Sequence, residues 1–133
     1  MENKDYLTLN NLQIYQLSRK LSEHAWLIYQ TLDWEMRKVI GNQFLRAIDS
    51  VGANIAEGYG RYHYLDKIKS YYNSRASLSE CCGHWLELMY ERKKVTEKQF
   101  KTIKIIVGKL AIKLNNFINA TYRAKDNKFQ PIS

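Results

Sequence analysis

A single proline, Pro131, and six glycines are the only strong breakers in this chain of 133 residues. Long, uninterrupted elements are therefore expected. No run reaches the ~18 consecutive apolar residues that a membrane-spanning helix needs, so a membrane is not among the expected partners. The opening Met1-Glu2-Asn3-Lys4-Asp5 is polar and mixed in charge. It lacks the apolar segment of a secretory signal, which predicts a cytoplasmic protein. The only two cysteines, Cys81 and Cys82, are adjacent, and that excludes a disulfide framework. They are expected to be small buried residues on a helix.

Catalytic signatures are lacking as well. There is no phosphate-cradling glycine loop, no metalloprotease histidine pair and no serine in a nucleophile elbow. Glu80 and His84 stand at i and i+4, but nothing nearby in sequence supplies a third ligand, and His24 and His63 have no ligand spacing. No enzymatic activity, cofactor or metal is expected.

Acidic residues are scarce in the last third of the chain. Residues 1–91 carry ten Lys/Arg against eleven Asp/Glu. Residues 92–133 carry eleven basic residues against Glu97 and Asp126, a balance of +9. The whole positive excess of the chain thus lies there. Such asymmetry points to an anionic partner, with solubility as the duller alternative.

What is abundant is helical periodicity. At 45% hydrophobic residues, one domain with an ordinary core is expected. A first helix is predicted at about 9–32, with Leu17, Leu21, Ile28 and Leu32 on one face. Asp33 can cap a second at 34–60, whose Ile40, Phe44, Ile48, Val51 and Ile55 form one stripe. A third is predicted at 65–93, spaced on Leu78, Cys82, Trp85 and Met89. The fourth, at 97–122, opens with a capping box, Thr96-Glu97-Lys98-Gln99, flanked by Val95 and Phe100 at staple positions. Its seam is Phe100, Ile103, Val107, Leu110, Leu114 and Phe117. The expectation is an all-α, antiparallel up-down-up-down four-helix bundle over residues 1–122. Residues 123–133 read as a basic, disordered tail.

Two polar patterns remain. On helix 2, Gln43, Arg46, Ser50, Asn54, Glu57 and Arg61 lie within roughly 80° of arc beside the apolar stripe. They should face a neighbouring helix or subunit, as a structural network or as a ligand site. A row on helix 3, including Ser77, Glu80, His84 and Glu87, falls opposite its apolar stripe and reads as a solvated face or a subunit interface. On helix 4, Lys98, Lys101, Lys109 and Lys113, with Lys94 just before it, lie away from the seam. Arg92, Lys93 and Lys104 broaden that zone, and Arg123, Lys125 and Lys128 extend it. Ile105 and Ile112 point into its middle, which calls for a contact with another subunit or a partner. Lysines spaced along a helix suit successive phosphates. The Tyr59, Tyr62, Tyr64 cluster either packs over the bundle end or stacks on unpaired bases.

Gln43-Phe44-Leu45-Arg46-Ala47, then Ser50-Val51-Gly52-Ala53-Asn54-Ile55-Ala56-Glu57-Gly58 and Arg61 closely resemble a known signature. It is that of the four helix bundle protein family, often encoded in intervening sequences of bacterial 23S ribosomal RNA genes. Ser77 and Glu80 match the family's downstream serine and glutamate, and the likeness spans about Leu12 to Met89. Departures are Glu35, where the family commonly has proline, and Ser74 and Ala76 in place of its alanine and glycine. The resemblance implies a ring-shaped homopentamer. It is also similar to the accessory protein of diversity-generating retroelements, a basic pentamer that binds reverse transcriptase and nucleic acid. The expected function is non-enzymatic nucleic-acid binding, RNA foremost, through the basic face of helix 4. The alternative is a protein-interaction accessory, for example to a reverse transcriptase.

Overall fold

The computed structural model describes residues 8–128. Among the described residues there are four long helices and no strand. After a 3-10 turn at Leu9–Asn11, α1 spans Gln13–Thr31. Leu12 between them is extended, so the first helix begins four residues later than its periodicity predicts. α2 runs over residues 34–60 and α3 over 64–91, each with one wide turn inside it. α4 spans Glu97–Lys128. Each helix packs on its sequence neighbours, and α1 against α4 closes the bundle.

The start signals work as the side chains dictate. Asp33 Oδ1 accepts from the Met36 N–H at 2.8 Å, capping α2. The capping box of α4 closes in both directions: Gln99 N–H donates to Thr96 Oγ1 at 3.0 Å, and Thr96 N–H donates to Gln99 Oε1 at 2.9 Å. α3 stops at Glu91 rather than Lys93. The Lys94 N–H bonds to Met89 O and the Lys93 N–H to Tyr90 O, with Lys93 left-handed at φ 61°. This is a Schellman ending with a lysine where glycine is usual.

α4 continues six residues past Tyr122, so 123–128 is helix and not disordered tail. Tyr122 still packs on the core, and Arg123, Ala124 and Lys125 favour helix. Residues 129–133 lie outside the described residues, as does the Lys128 side chain.

The predicted stripe of α2 is buried throughout: Ile40, Phe44, Ile48, Val51 and Ile55 are each 1% exposed or less. In α3 the expected spacing shifts. At the wide turn Cys81–Trp85 the Leu86 N–H bonds to Cys81 O, five residues back, instead of to Cys82 O. The extra residue brings Cys81, Cys82 and Leu86 all into the core and leaves Trp85 half-buried. The two thiols touch at 3.0 Å. That hydrogen bond and burial push the Cys81 thiol far above the usual range, which disfavours its thiolate. In α4 the core residues are Ile103, Ile106, Leu110, Leu114 and Ile118, with Phe100, Val107 and Phe117 half-buried beside them. The seam is wider than predicted because α4 contacts both α1 and α3.

α2 approaches its neighbours where it has no side chain. A Cβ on Gly52 would stand 2.8 Å from Ser18 Oγ of α1, and one on Gly58 would stand 2.5 Å from Tyr71 Cε1 of α3. Fully buried Ser74 of α3 donates its hydroxyl to Val51 O at 2.8 Å, one residue before Gly52. Ser74, a departure from the family pattern, thus ties α3 to α2.

Gly58→Ala should destabilise the fold by about 1–3 kcal/mol, the usual cost of overpacking, because the Tyr71 ring is itself wedged against Phe117. Gly108, with nothing within 4 Å of its would-be Cβ, should gain about 0.5–1 kcal/mol as alanine. Urea denaturation of both variants measures the contrast.

Burial of the Tyr71 phenol, with the Tyr59 phenol adding to it, pushes its pKa up to about 12. An unfolded tyrosine titrates near ~10, so the folded state holds this proton more tightly. The resulting stabilisation is whole below pH ~10 and is lost as pH rises through about 12. Tyr71→Phe should lose less stability than the wild type over that alkaline window in pH-dependent denaturation.

Candidate nucleic-acid interface

Because the seam of α4 points inward, the opposite side of that helix is presented to solvent. Lys98, Lys101, Lys109, Lys113 and Arg123 are all exposed there, and Lys94 is exposed on the connection from α3. Between them Ile105 is 61% and Ile112 65% exposed. The structure thus brings together the basic residues expected from the sequence, with two isoleucines in their midst.

The face is less uniform in charge than the lysine count implies. Lys101 Nζ pairs with Glu97 at 2.7 Å, one turn earlier on the same helix. That hydrogen bond and charge hold the lysine pKa above its ordinary value and the glutamate below. Lys104 does not join the face at all. It turns inward, pairs with Glu87 of α3 and donates to Cys82 O at 2.8 Å. Cys82 lies in the wide turn of α3, so this bond ties α4 to that turn. Lys125 pairs with Asp126 at 3.1 Å. Lys94, Lys98, Lys109, Lys113 and Arg123 have no acidic partner among the described residues.

Within the single chain the polar stripe of α2 is largely open, which leaves a subunit as the surface it would face. Gln43, Arg46, Glu57 and Arg61 are exposed, and Ser50 and Asn54 are half-buried. Two of its bonds run along α2: Ser50 Oγ donates to Arg46 O and Asn54 Nδ2 to Ser50 O, both at 2.8 Å. Short Ser and Asn side chains readily bond a carbonyl one turn back. Arg61 pairs with Glu57 at 2.5 Å in solvent, an arrangement that raises the Arg61 pKa. No neighbouring helix of the same chain covers the stripe.

On α3, Ser77 is half-buried and Glu80 exposed. Glu80 accepts from Trp85 Nε1 at 2.9 Å, and His84 packs edge-on against the same indole. Among the described residues no group of three or more His, Cys, Asp or Glu side chains could hold a metal ion. No described helix is long and apolar enough to cross a membrane. In the tyrosine cluster, Tyr59 packs against the core while Tyr62 is 81% exposed and meets His63 edge-on.

A family model described as 23S rRNA-intervening sequence protein matches residues 10–116. The chain belongs to that family.

The match to the 23S rRNA-intervening sequence proteins extends into α4 as far as residue 116, well beyond Met89, where the motif likeness ends. It includes Lys98, Lys101, Lys109 and Lys113 and leaves Arg123 outside. A crystal structure from Bacteroides thetaiotaomicron, of a protein with unknown function from the S23 ribosomal protein family, is similar in fold. Its TM-score is 0.74 at 24% identity, over 84% of this chain and 99% of that one. No curated protein matches the chain. In this member of the family the signature glycines Gly52 and Gly58 have a packing role, set by Ser18 and Tyr71. Two features of this chain escape sequence reasoning. The inward turn of Lys104 has no local signal, and the exposed apolar group Trp26, Leu27, Trp34 and Val39 straddles the α1–α2 connection without periodicity.

Since the Glu57–Arg61 pair is solvent-exposed, Glu57→Ala should leave the melting temperature of the separated chain unchanged. A loss of stability that grows with protein concentration would instead mark the stripe as a subunit contact. Thermal melts over a range of concentrations read this directly.

Proposed function

We propose that this protein is a non-enzymatic, homo-oligomeric bundle that binds nucleic acid, RNA foremost, through the outer face of α4 with little sequence preference. The observation that carries this reading is the set of exposed cations Lys98, Lys109, Lys113 and Arg123, without acidic partners among the described residues, on a helix of 32 residues. Such a helix is about 48 Å long, enough to follow a backbone over several phosphates. Contacts of this kind position a strand and read no sequence.

The helices are inferred to run up-down-up-down. Connections of two, three and five residues separate them, too short to return along a helix of this length. Self-association is supported by the exposed Trp26, Leu27, Trp34 and Val39, which a monomer would leave in water. The family resemblance makes a pentameric ring the expected state. In a ring each subunit repeats the basic face, and a long polyanion gains avidity by engaging several copies. A cytoplasmic location suits the reduced Cys81 and Cys82. Ile105 and Ile112 favour a second reading, in which the α4 face docks a protein such as a reverse transcriptase.

Binding to single-stranded RNA and duplex DNA by fluorescence anisotropy should weaken steeply with salt. Each lysine removed should lower the slope of log affinity against log salt by roughly one contact while leaving sequence preference unaltered. Replacing Lys98, Lys101, Lys109 and Lys113 together by Gln should abolish binding and leave the circular dichroism spectrum intact. No binding at low salt, or undiminished binding by the quadruple variant, transfers the face to the protein-partner reading.

A further inference from the structure

A cleft of about 640 Å³ lies between the start of α1 and the C-terminal half of α4. Its floor and walls include Leu12, Ile14, Phe117 and Ala120, and its rim carries Asn116, Lys113 and Arg123. No carboxylate is among its described lining residues. The open groove on the other side of α1, of about 760 Å³, differs in that Glu23 and Asp49 line it beside Arg19 and Lys20. The shallow hollow around Lys98 and Lys101 contains Glu97. Of these three spaces, the α1–α4 cleft alone combines uncompensated positive charge with an apolar floor.

Its geometry along α4 is specific. Lys113 and Arg123 stand ten residues apart, about 15 Å along the axis, and Phe117 lies between them. Phe117 is half-buried, held edge-on to Tyr71 with 5.1 Å between ring centroids, so its ring is a fixed surface. Asn116 beside it offers both a donor and an acceptor.

We infer that this cleft seats an unpaired base of a single strand, with flanking phosphates held by Lys113 and Arg123 and the base lying against Phe117. This rests on the proposed α4 reading and names its substrate class. A paired and stacked base cannot enter such a space without being unstacked, so single strands are preferred over duplex. The volume lies within the ordinary range for small-ligand sites.

The test uses the full-length protein and two exposed alanines. Ala120→Glu puts a carboxylate inside the cleft, whereas Ala53→Glu, on the exposed side of α2, adds the same charge elsewhere. Circular dichroism confirms that both variants fold. The probes are an oligouridine strand, an abasic strand with the same number of phosphates, and a duplex. Intact strand should bind about tenfold or more tighter than abasic strand. Ala120→Glu should erase that difference, and Ala53→Glu should keep it. Equal affinity for intact and abasic strands, or an Ala120→Glu protein that still tells them apart, overturns the cleft while the phosphate-binding face of α4 stands. A second readout is independent of polymer binding: uridine monophosphate should shift the NMR signals of the Asn116 side-chain amide and the Ala120 methyl. If no polyanion binds at low salt, the α4 reading falls, and these shifts alone decide whether the cleft takes a nucleotide. Their absence then overturns the cleft as well.

Discussion

The close approach of α2 to both its neighbours is the constraint on which the rest of the bundle depends. A helix can lie this near another only where side chains are absent or minimal, and α2 supplies Gly52 against Ser18 and Gly58 against Tyr71. Once the backbones are that close, the buried Ser74 hydroxyl reaches Val51 O and fixes the relative height of α2 and α3. Tyr71 is then held between Gly58 and Phe117, which carries the register of α2 across α3 to α4. The signature of the 23S rRNA-intervening sequence proteins is thus, in its glycines, a packing rule.

The wide turn in α3 extends that register to the fourth helix. The extra residue in that turn rotates the end of α3, so that Leu86 and Met89 both face the core. Lys104 of α4 donates to the Cys82 carbonyl within the turn and meets Glu87 with the same ammonium. Tyr90 then stacks on Phe100 with ring centroids 4.1 Å apart, joining the end of α3 to the start of α4. One lysine is therefore spent on structure, and the inward seam leaves Lys98, Lys101, Lys109 and Lys113 on the outside.

The proposed function rests on what that arrangement exposes. Cations spread along a straight helix suit a polymer with regularly spaced charges better than a compact ligand. The interruptions matter as much. Glu97 partly neutralises Lys101, while Ile105 and Ile112 supply apolar area in the middle of the face. Toward the C-terminal end the face opens into a cleft with cations on its rim and an aromatic ring on its floor. The polar stripe of α2 lies exposed elsewhere, bonded along its own helix, and belongs to a different surface of the molecule.

The four helices, their caps and most of the core were legible in the sequence, because these depend on local chemistry. Asp33 and Thr96 cap their helices wherever they stand, and the steps from Ile40 to Ile55 bury one face on any helix. Which lysines lie off the α4 seam was legible too, since 3.6-residue periodicity alone separates Lys109 and Lys113 from Leu110 and Leu114. Tertiary structure decided what depends on distance between elements. The wide turn moved Leu86 inward and Trp85 outward, a shift that no i to i+4 count anticipates. Packing on the core carried α4 past Tyr122. Lys104 left the basic face for a carbonyl and a carboxylate of another helix, and within the chain no described helix lies over the α2 stripe. The cleft between α1 and α4 has no sequence signal, because Leu12 and Phe117 are about a hundred residues apart and meet only when the bundle closes.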